Sequence, residues 1–215
     1  MADMSNRLLR TLTTVAAIGA GYALLRQQSL RWGARQDEVA RTLPGDDRLP
    51  HADLVATRAI TVHATAQDVW PWLAQLGHGR GGFYTYDALE NLVGLGIHSA
   101  DRIVPEWQQI AVGDRVHLAE QVGLEVVHAD PGSALVLAGG VPMTEAEDSM
   151  PFDFVWSFVL RPGPVEGSTR LVVRERYAFL RPSARPVVEV AEWISLLMST
   201  GMLRGIRDRA EAARA

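Results

Sequence analysis

The sequence predicts an α+β domain in which a curved antiparallel sheet wraps around one long C-terminal helix, with two short helices after the first strand. Three observations predict it. Short alternating, β-branched segments follow one another with Gly, Pro and Asp between them, as strands in hairpin succession do. One long amphipathic segment closes the chain. The two short helical segments both come directly after the first strand. A sheet with one apolar face buries it most economically under such a helix. A strongly curved sheet leaves a cavity beneath the helix, and such cavities favour apolar ligands.

Taken in order, Leu12 to Leu25 is uncharged and mostly apolar. Extended back to Leu8, it would reach roughly 27 Å as a helix, against about 30 Å of bilayer hydrocarbon. Arg10 and Arg26 stand where they can snorkel at its two ends. Residues 1–26 therefore read as a membrane anchor, which would make the protein membrane-associated through a single N-terminal helix. A cleaved signal peptide or a buried soluble helix are the alternatives, which would make it secreted or cytoplasmic. Arginines flank both sides, so the side of the membrane stays open. Residues 27–50 read as a polar connector with a short helix near Asp37–Arg41 and a turn at Pro44-Gly45-Asp46-Asp47. Residues 51–215 form the domain.

Within it, Leu54 to His63 alternates as a strand, with Leu54, Ala56, Arg58, Ile60 and Val62 on one face. Thr65 followed by Asp68 starts a helix carrying Val69, Trp72, Leu73 and Leu76, which Pro71 should kink or shorten. A second short helix is expected over about Thr85 to Val93, then a long loop to Ile110. Strands follow at about Arg115–Leu118, Gly123–His128 and Ala134–Ala138, and Gly139 to Pro151 reads as an acidic loop. Phe152 to Leu160 puts Phe152, Phe154, Trp156, Phe158 and Leu160 on one face. Ser168 to Phe179 is its partner. Pro186 to Ala213 is the long helix, with Val190, Trp193, Ile194, Leu197, Met198, Gly201 and Met202 as its apolar face.

Composition sets bounds. The 215 residues suit one domain with an appendage, and 47% apolar with 21% charged residues is the composition of a globular core. The net charge of −4 and the absence of a basic stripe set nucleic acid aside. There is no cysteine, so thiolate and disulfide chemistry is excluded, and no lysine, so Schiff-base chemistry is too. The six histidines are scattered without metal-ligand spacing, and no G-x-S-x-G elbow occurs. We expect no metal and no organic cofactor.

Trp70-Pro71-Trp72-Leu73-Ala74-Gln75-Leu76-Gly77, running on through Gly79-Arg80-Gly81-Gly82-Phe83-Tyr84-Thr85-Tyr86-Asp87, and the later Val172-Val173-Arg174-Glu175-Arg176-Tyr177 carry a resemblance. With the element order, they resemble the SRPBCC superfamily of START-like, helix-grip proteins, often labelled polyketide cyclase or dehydrase. The likeness covers about Leu54 to Ala212 with the connector motifs Trp32-Gly33-Ala34 and Leu43-Pro44-Gly45-Asp46, and it is strongest to actinobacterial members with an N-terminal apolar segment. It implies a helix-grip fold and an apolar cavity. The superfamily hosts carriers, receptors and enzymes, so the fold does not give the function.

Candidate site residues follow. Gly77-His78-Gly79-Arg80-Gly81-Gly82 matches G-x-G-x-x-G, but it follows a helix rather than a strand, so the dinucleotide reading is rejected for a tight loop. Arg80 within it can pair with Asp87 or reach an anionic ligand. Tyr84, Tyr86 and Asp87 can orient a ligand or move a proton, or simply pack and cap. Glu175 falls on an apolar face with Leu171, Val173, Tyr177 and Phe179. There a carboxylate needs a partner, for which Arg58 is the candidate, or it becomes a general acid or base. Trp156, Phe158, Tyr177 and Trp193 are candidate ligand-lining residues, with core packing as the plainer role.

The function so predicted is binding, transport or sensing of an apolar small molecule or lipid in an internal cavity, near a membrane. One alternative is a cofactor-independent cyclase or dehydratase with Glu175, Tyr84 and Asp87 as its acid–base groups. Another is a membrane-tethered interaction domain with a filled core. On the carrier reading, Glu175→Gln should be tolerated.

Overall fold

The computed structural model describes residues 2–85, 99–120, 122–142 and 149–213. Helix α1 spans Ala2–Ser29, and α2 spans Gln36–Ala40 in the connector. Strand β1 (Leu54–Val62) is followed by α3 (Ala66–Ala74). Strands β2 (Arg115–Ala119), β3 (Val122–Asp130), β4 (Ala134–Pro142), β5 (Ser149–Pro162) and β6 (Thr169–Phe179) lead to the long helix α4 (Ala184–Ala212). The six strands form one antiparallel sheet in the order β1-β6-β5-β4-β3-β2. Register shifts at His117/Ala119 and Val126/His128 bend its β2–β4 end. Helices α3 and α4 pack on one face, and the core of Leu73, Leu76, Leu124, Leu137, Leu171 and Leu203 lies between. This is the helix-grip architecture.

Local signals placed several elements. Thr65 caps α3: its hydroxyl accepts from the Asp68 N–H at 3.3 Å, while Asp68 accepts from the Thr65 N–H at 3.1 Å. Pro71 lies inside this short helix. The acidic loop expected from Gly139 is shorter than its composition implies. Pairing of β4 with β5 continues through Gly139–Phe154 and Gly140–Asp153, because the long β5 supplies a backbone partner whatever the side chains are. The second short helix expected from Thr85 lies outside the described residues.

The connector lies against the outer face of the sheet. Arg170, Arg174 and Arg176 project from that face of β6. Arg170 pairs with Glu38 at 2.6 Å, and Arg174 and Arg176 both reach Asp46. Arg174 also donates to the carbonyls of Glu38, Val39 and Arg41, and Arg176 to those of Leu49 and Pro50. Beneath lies a small second core of Leu43, Ala59, Ala134, Val159 and Val172. Gly45, at φ 92°, comes so close to Val136 and Ser157 that a Cβ there would collide with both. β1 is an edge strand, and the carbonyls of Leu30 and Trp32 accept from its free Thr57 and Ala59 N–H groups at 2.7 and 3.1 Å.

Helix α4 differs from expectation. Val190, Trp193, Ile194 and Leu197 are exposed, whereas Val188, Glu192, Ser199, Met202, Leu203 and Ile206 are buried. Glu192, Ser195 and Ser199, at spacings of three and four, turn toward the sheet because two buried charges there need partners. That requirement outweighs the burial of Val190, Trp193, Ile194 and Leu197, which turn outward, while Gly201 and Met202 of the expected face are buried as expected. By length and composition α4 is also the one helix among the described residues that could cross a membrane, yet its inner face is in the domain core.

Candidate functional site

A cavity of about 210 Å³ lies between α4, the sheet and the turn at Phe83–Thr85. Its walls are mainly apolar: Phe83, Phe154 and Trp156 on one side, Ile194, Met198 and Met202 of α4 on the other. The alternation of β5 aims Phe154 and Trp156 inward. Phe83 stacks on Trp156 with ring centres 6.2 Å apart. Glu175, Ser195 and Ser199 form the polar end. Ile194 is both lining and exposed, so the cavity opens to the surface beside α4.

Behind the polar end lies a buried charge cluster. Glu175 and Arg58 are almost wholly buried and form the ion pair expected from strand alternation, at 3.1 Å. Glu175 accepts four hydrogen bonds. Arg58 Nη1 and Ser199 Oγ (2.8 Å) donate to Oε1, and Tyr177 Oη (2.9 Å) and Ser195 Oγ (2.6 Å) donate to Oε2. Arg58 Nη2 donates to Glu192, which also receives Arg26 from the end of α1. Arg26 Nε bonds Glu189 at 2.8 Å, and its guanidinium lies 5.8 Å from the Trp193 ring centre. Burial pushes the Glu192 carboxyl up, with Glu175 adding to the shift and Arg58 and Arg26 opposing it. Burial likewise raises Tyr177 well above the usual phenol range, helped by the Glu175 charge. Glu175 thus has its lone pairs occupied by donors of the protein itself.

The structure brings Glu175 and Trp156 to the cavity but not the other described candidates. Phe158 is fully buried behind Trp156, ring centres 4.7 Å apart. Tyr177 lies under Glu175, against Phe154. Trp193, expected on the inner face of α4, is instead 38% exposed and sits beside Arg26. Tyr84 is buried with φ 56°, donates to the Trp72 carbonyl at 3.1 Å, and is pushed above the phenol range by burial. Arg80 donates to the carbonyls of Ala74 and Trp107 at 2.9 and 2.6 Å, tying the glycine turn to the following loop. Tyr86 and Asp87 lie outside the described residues, as does His98. Among the described residues no group of His, Asp and Glu could hold a metal ion.

Phe83, Phe154, Ser195, Ser199 and Glu192 were not singled out by sequence. The last three carried a usable signal: one acid and two serines along a single face of an otherwise apolar helix.

No protein-family model matches the chain, and no curated protein does. Solved structures do. A norcoclaurine synthase of Thalictrum flavum, a point mutant bound to a transition-state analogue, is 12% identical over 75% of this chain and 96% of its own, with a TM-score of 0.46. Protein Ms6760 of Mycobacterium smegmatis is 15% identical over 74% and 92%, with a TM-score of 0.44. Protein MLL2253 of Mesorhizobium loti is 15% identical over 71% and 96%, with a TM-score of 0.43. The fold assignment rests on the strand order and the place of α4.

Proposed function

We propose that this chain binds a small apolar molecule in the cavity under α4, and that α1 tethers it to a membrane. The observation that carries the reading is the cavity itself: an aromatic and methionine-lined space of about 210 Å³ with one polar end and an opening beside Ile194. A dry apolar cavity of about 150 Å³ takes up benzene. This one suits a compact body somewhat larger than that, rather than a whole lipid. The acid–base reading has less support, because Glu175 is saturated by four donors and Tyr84 is committed to a backbone carbonyl. The tether draws its support from the exposed Ile18, Tyr22, Leu24 and Leu25 of α1, apolar side chains that can enter a membrane surface without the helix spanning it.

Glu175→Gln cannot serve as the deciding variant. Arg58 would lose a buried counter-ion, so the substitution tests the fold before it tests turnover. A cavity-filling variant is cleaner. The full chain in nanodiscs should take up naphthalene at one site by titration calorimetry, and Met198→Trp should abolish that uptake while leaving the melting curve close to wild type. Undiminished uptake by Met198→Trp would move the ligand elsewhere and end this reading.

A further inference from the structure

The cavity's polar groups differ in what they offer a ligand, and counting protons shows how. Ser195 and Ser199 each have one hydroxyl proton, and each donates to Glu175. What they retain is lone pairs. Glu175 is the one charged side chain in the described lining, and it is negative. Arg58, behind it, gives Nη1 to Glu175, Nη2 to Glu192 and Nε to the Ser29 carbonyl, so its donor edges are committed. One donor remains. The Trp156 indole Nε1 is buried and has no hydrogen-bond partner among the described residues. Buried donors are normally satisfied, so an orphan in a cavity wall calls for an acceptor from outside the chain. Trp156 and Glu175 are direct cross-strand partners of β5 and β6, so both side chains stand on the same stretch of the cavity wall.

We propose that the ligand is neutral and carries a hydroxyl at this end, and that the site excludes carboxylates; this rests on the binding reading above. The hydroxyl oxygen accepts from Trp156 Nε1 and its proton goes to a lone pair of Ser195 or Ser199. A carboxylate would meet the Glu175 anion and acceptor lone pairs, with no cation to receive it. The aromatic walls favour a planar body behind the hydroxyl.

The test compares naphthol, naphthalene and naphthoate on the full chain in nanodiscs at neutral pH, by titration calorimetry. Naphthol should bind about tenfold more tightly than naphthalene, and naphthoate about 100-fold more weakly than naphthol, the penalty of an unpaired charge brought against another. Trp156→Phe removes the donor and also enlarges the cavity, so both affinities move; the donor's share is read from their ratio, and the advantage of naphthol over naphthalene should fall about fivefold. If naphthalene binds but naphthol gains nothing over it, or naphthoate matches naphthol, the hydroxyl assignment is overturned and the binding reading stands. If none of the three binds, the binding reading falls with it.

Discussion

Arg58 holds three elements at once: the Ser29 carbonyl at the end of α1, Glu175 on β6 and Glu192 on α4. Removing one partner of a buried ion pair leaves an uncompensated charge, typically at about 3–5 kcal/mol. Arg58→Met should therefore destabilise the protein by about that much in urea unfolding. Adding Glu192→Gln should recover part of the loss, and no recovery would mean the carboxylates are not what Arg58 serves. Glu38 makes a second prediction at this scale. Burial alone would raise its carboxyl, but the Arg170 hydrogen bond, the Arg35 backbone N–H and the Arg170 charge outweigh it and hold the group at about 2 instead of 4.5. A depressed carboxylate adds stability above its unfolded value and loses it as pH falls toward its folded value. That contribution is on the order of 3 kcal/mol at neutral pH. Glu38→Gln should thus be less stable at neutral pH and converge on wild type between pH 4.5 and about 2. A constant gap across that window would rule the pair out as its source. The Arg58–Glu175 pair was legible in the sequence, since strict alternation left one charge on the inner face of each strand. The partners of Arg170 and Arg174 in the connector were not, because they are carboxylates and backbone carbonyls 128 or more residues away.

Helix α4 shows where pattern reading stops. Its apolar residues form a stripe at helical spacing, and a stripe is ordinarily the buried face. Here Glu192, Ser195 and Ser199 face the sheet in the middle of the helix, Val190, Trp193, Ile194 and Leu197 are exposed, and the stripe is buried only at Gly201 and Met202. The helix is amphipathic, but its orientation is set by Arg58 and Glu175 on strands far off in sequence, which no local window contains. Farther along, Gly205 faces the turn at Tyr84 so closely that a Cβ would collide with the Tyr84 carbonyl. Alanine is worth about 1 kcal/mol more than glycine inside a helix. Gly205→Ala should nevertheless lower the melting temperature, because backbone yields less than a flexible side chain. A rise in melting temperature would show that α4 and the turn can part without loss. The strands and α3 were legible to within a few residues, since alternation, capping residues and turn residues are local signals; the cavity's serines carried a local signal too, but it competes with the apolar stripe, and only Arg58 and Glu175 decide which face turns inward.

At the scale of the molecule, the connector is bonded to the sheet along much of its length: Leu30 and Trp32 at the β1 edge, Glu38 on Arg170, Asp46 on Arg174 and Arg176. A chain beginning at residue 45 would bare the β1 edge, remove Glu38 and Arg26, and open the small core under Leu43. Such a chain should lack a cooperative thermal transition and pellet on concentration. A sharp transition near that of the full chain would show the connector to be dispensable. Arg26 is at once the last basic residue of α1 and a counter-ion inside the domain, since it joins Glu192, which joins Arg58, which joins the cavity wall at Glu175. The N-terminal helix is therefore a lever whose short arm ends at the floor of the cavity. The same three ion pairs thus link the end of the N-terminal helix to the wall of the cavity.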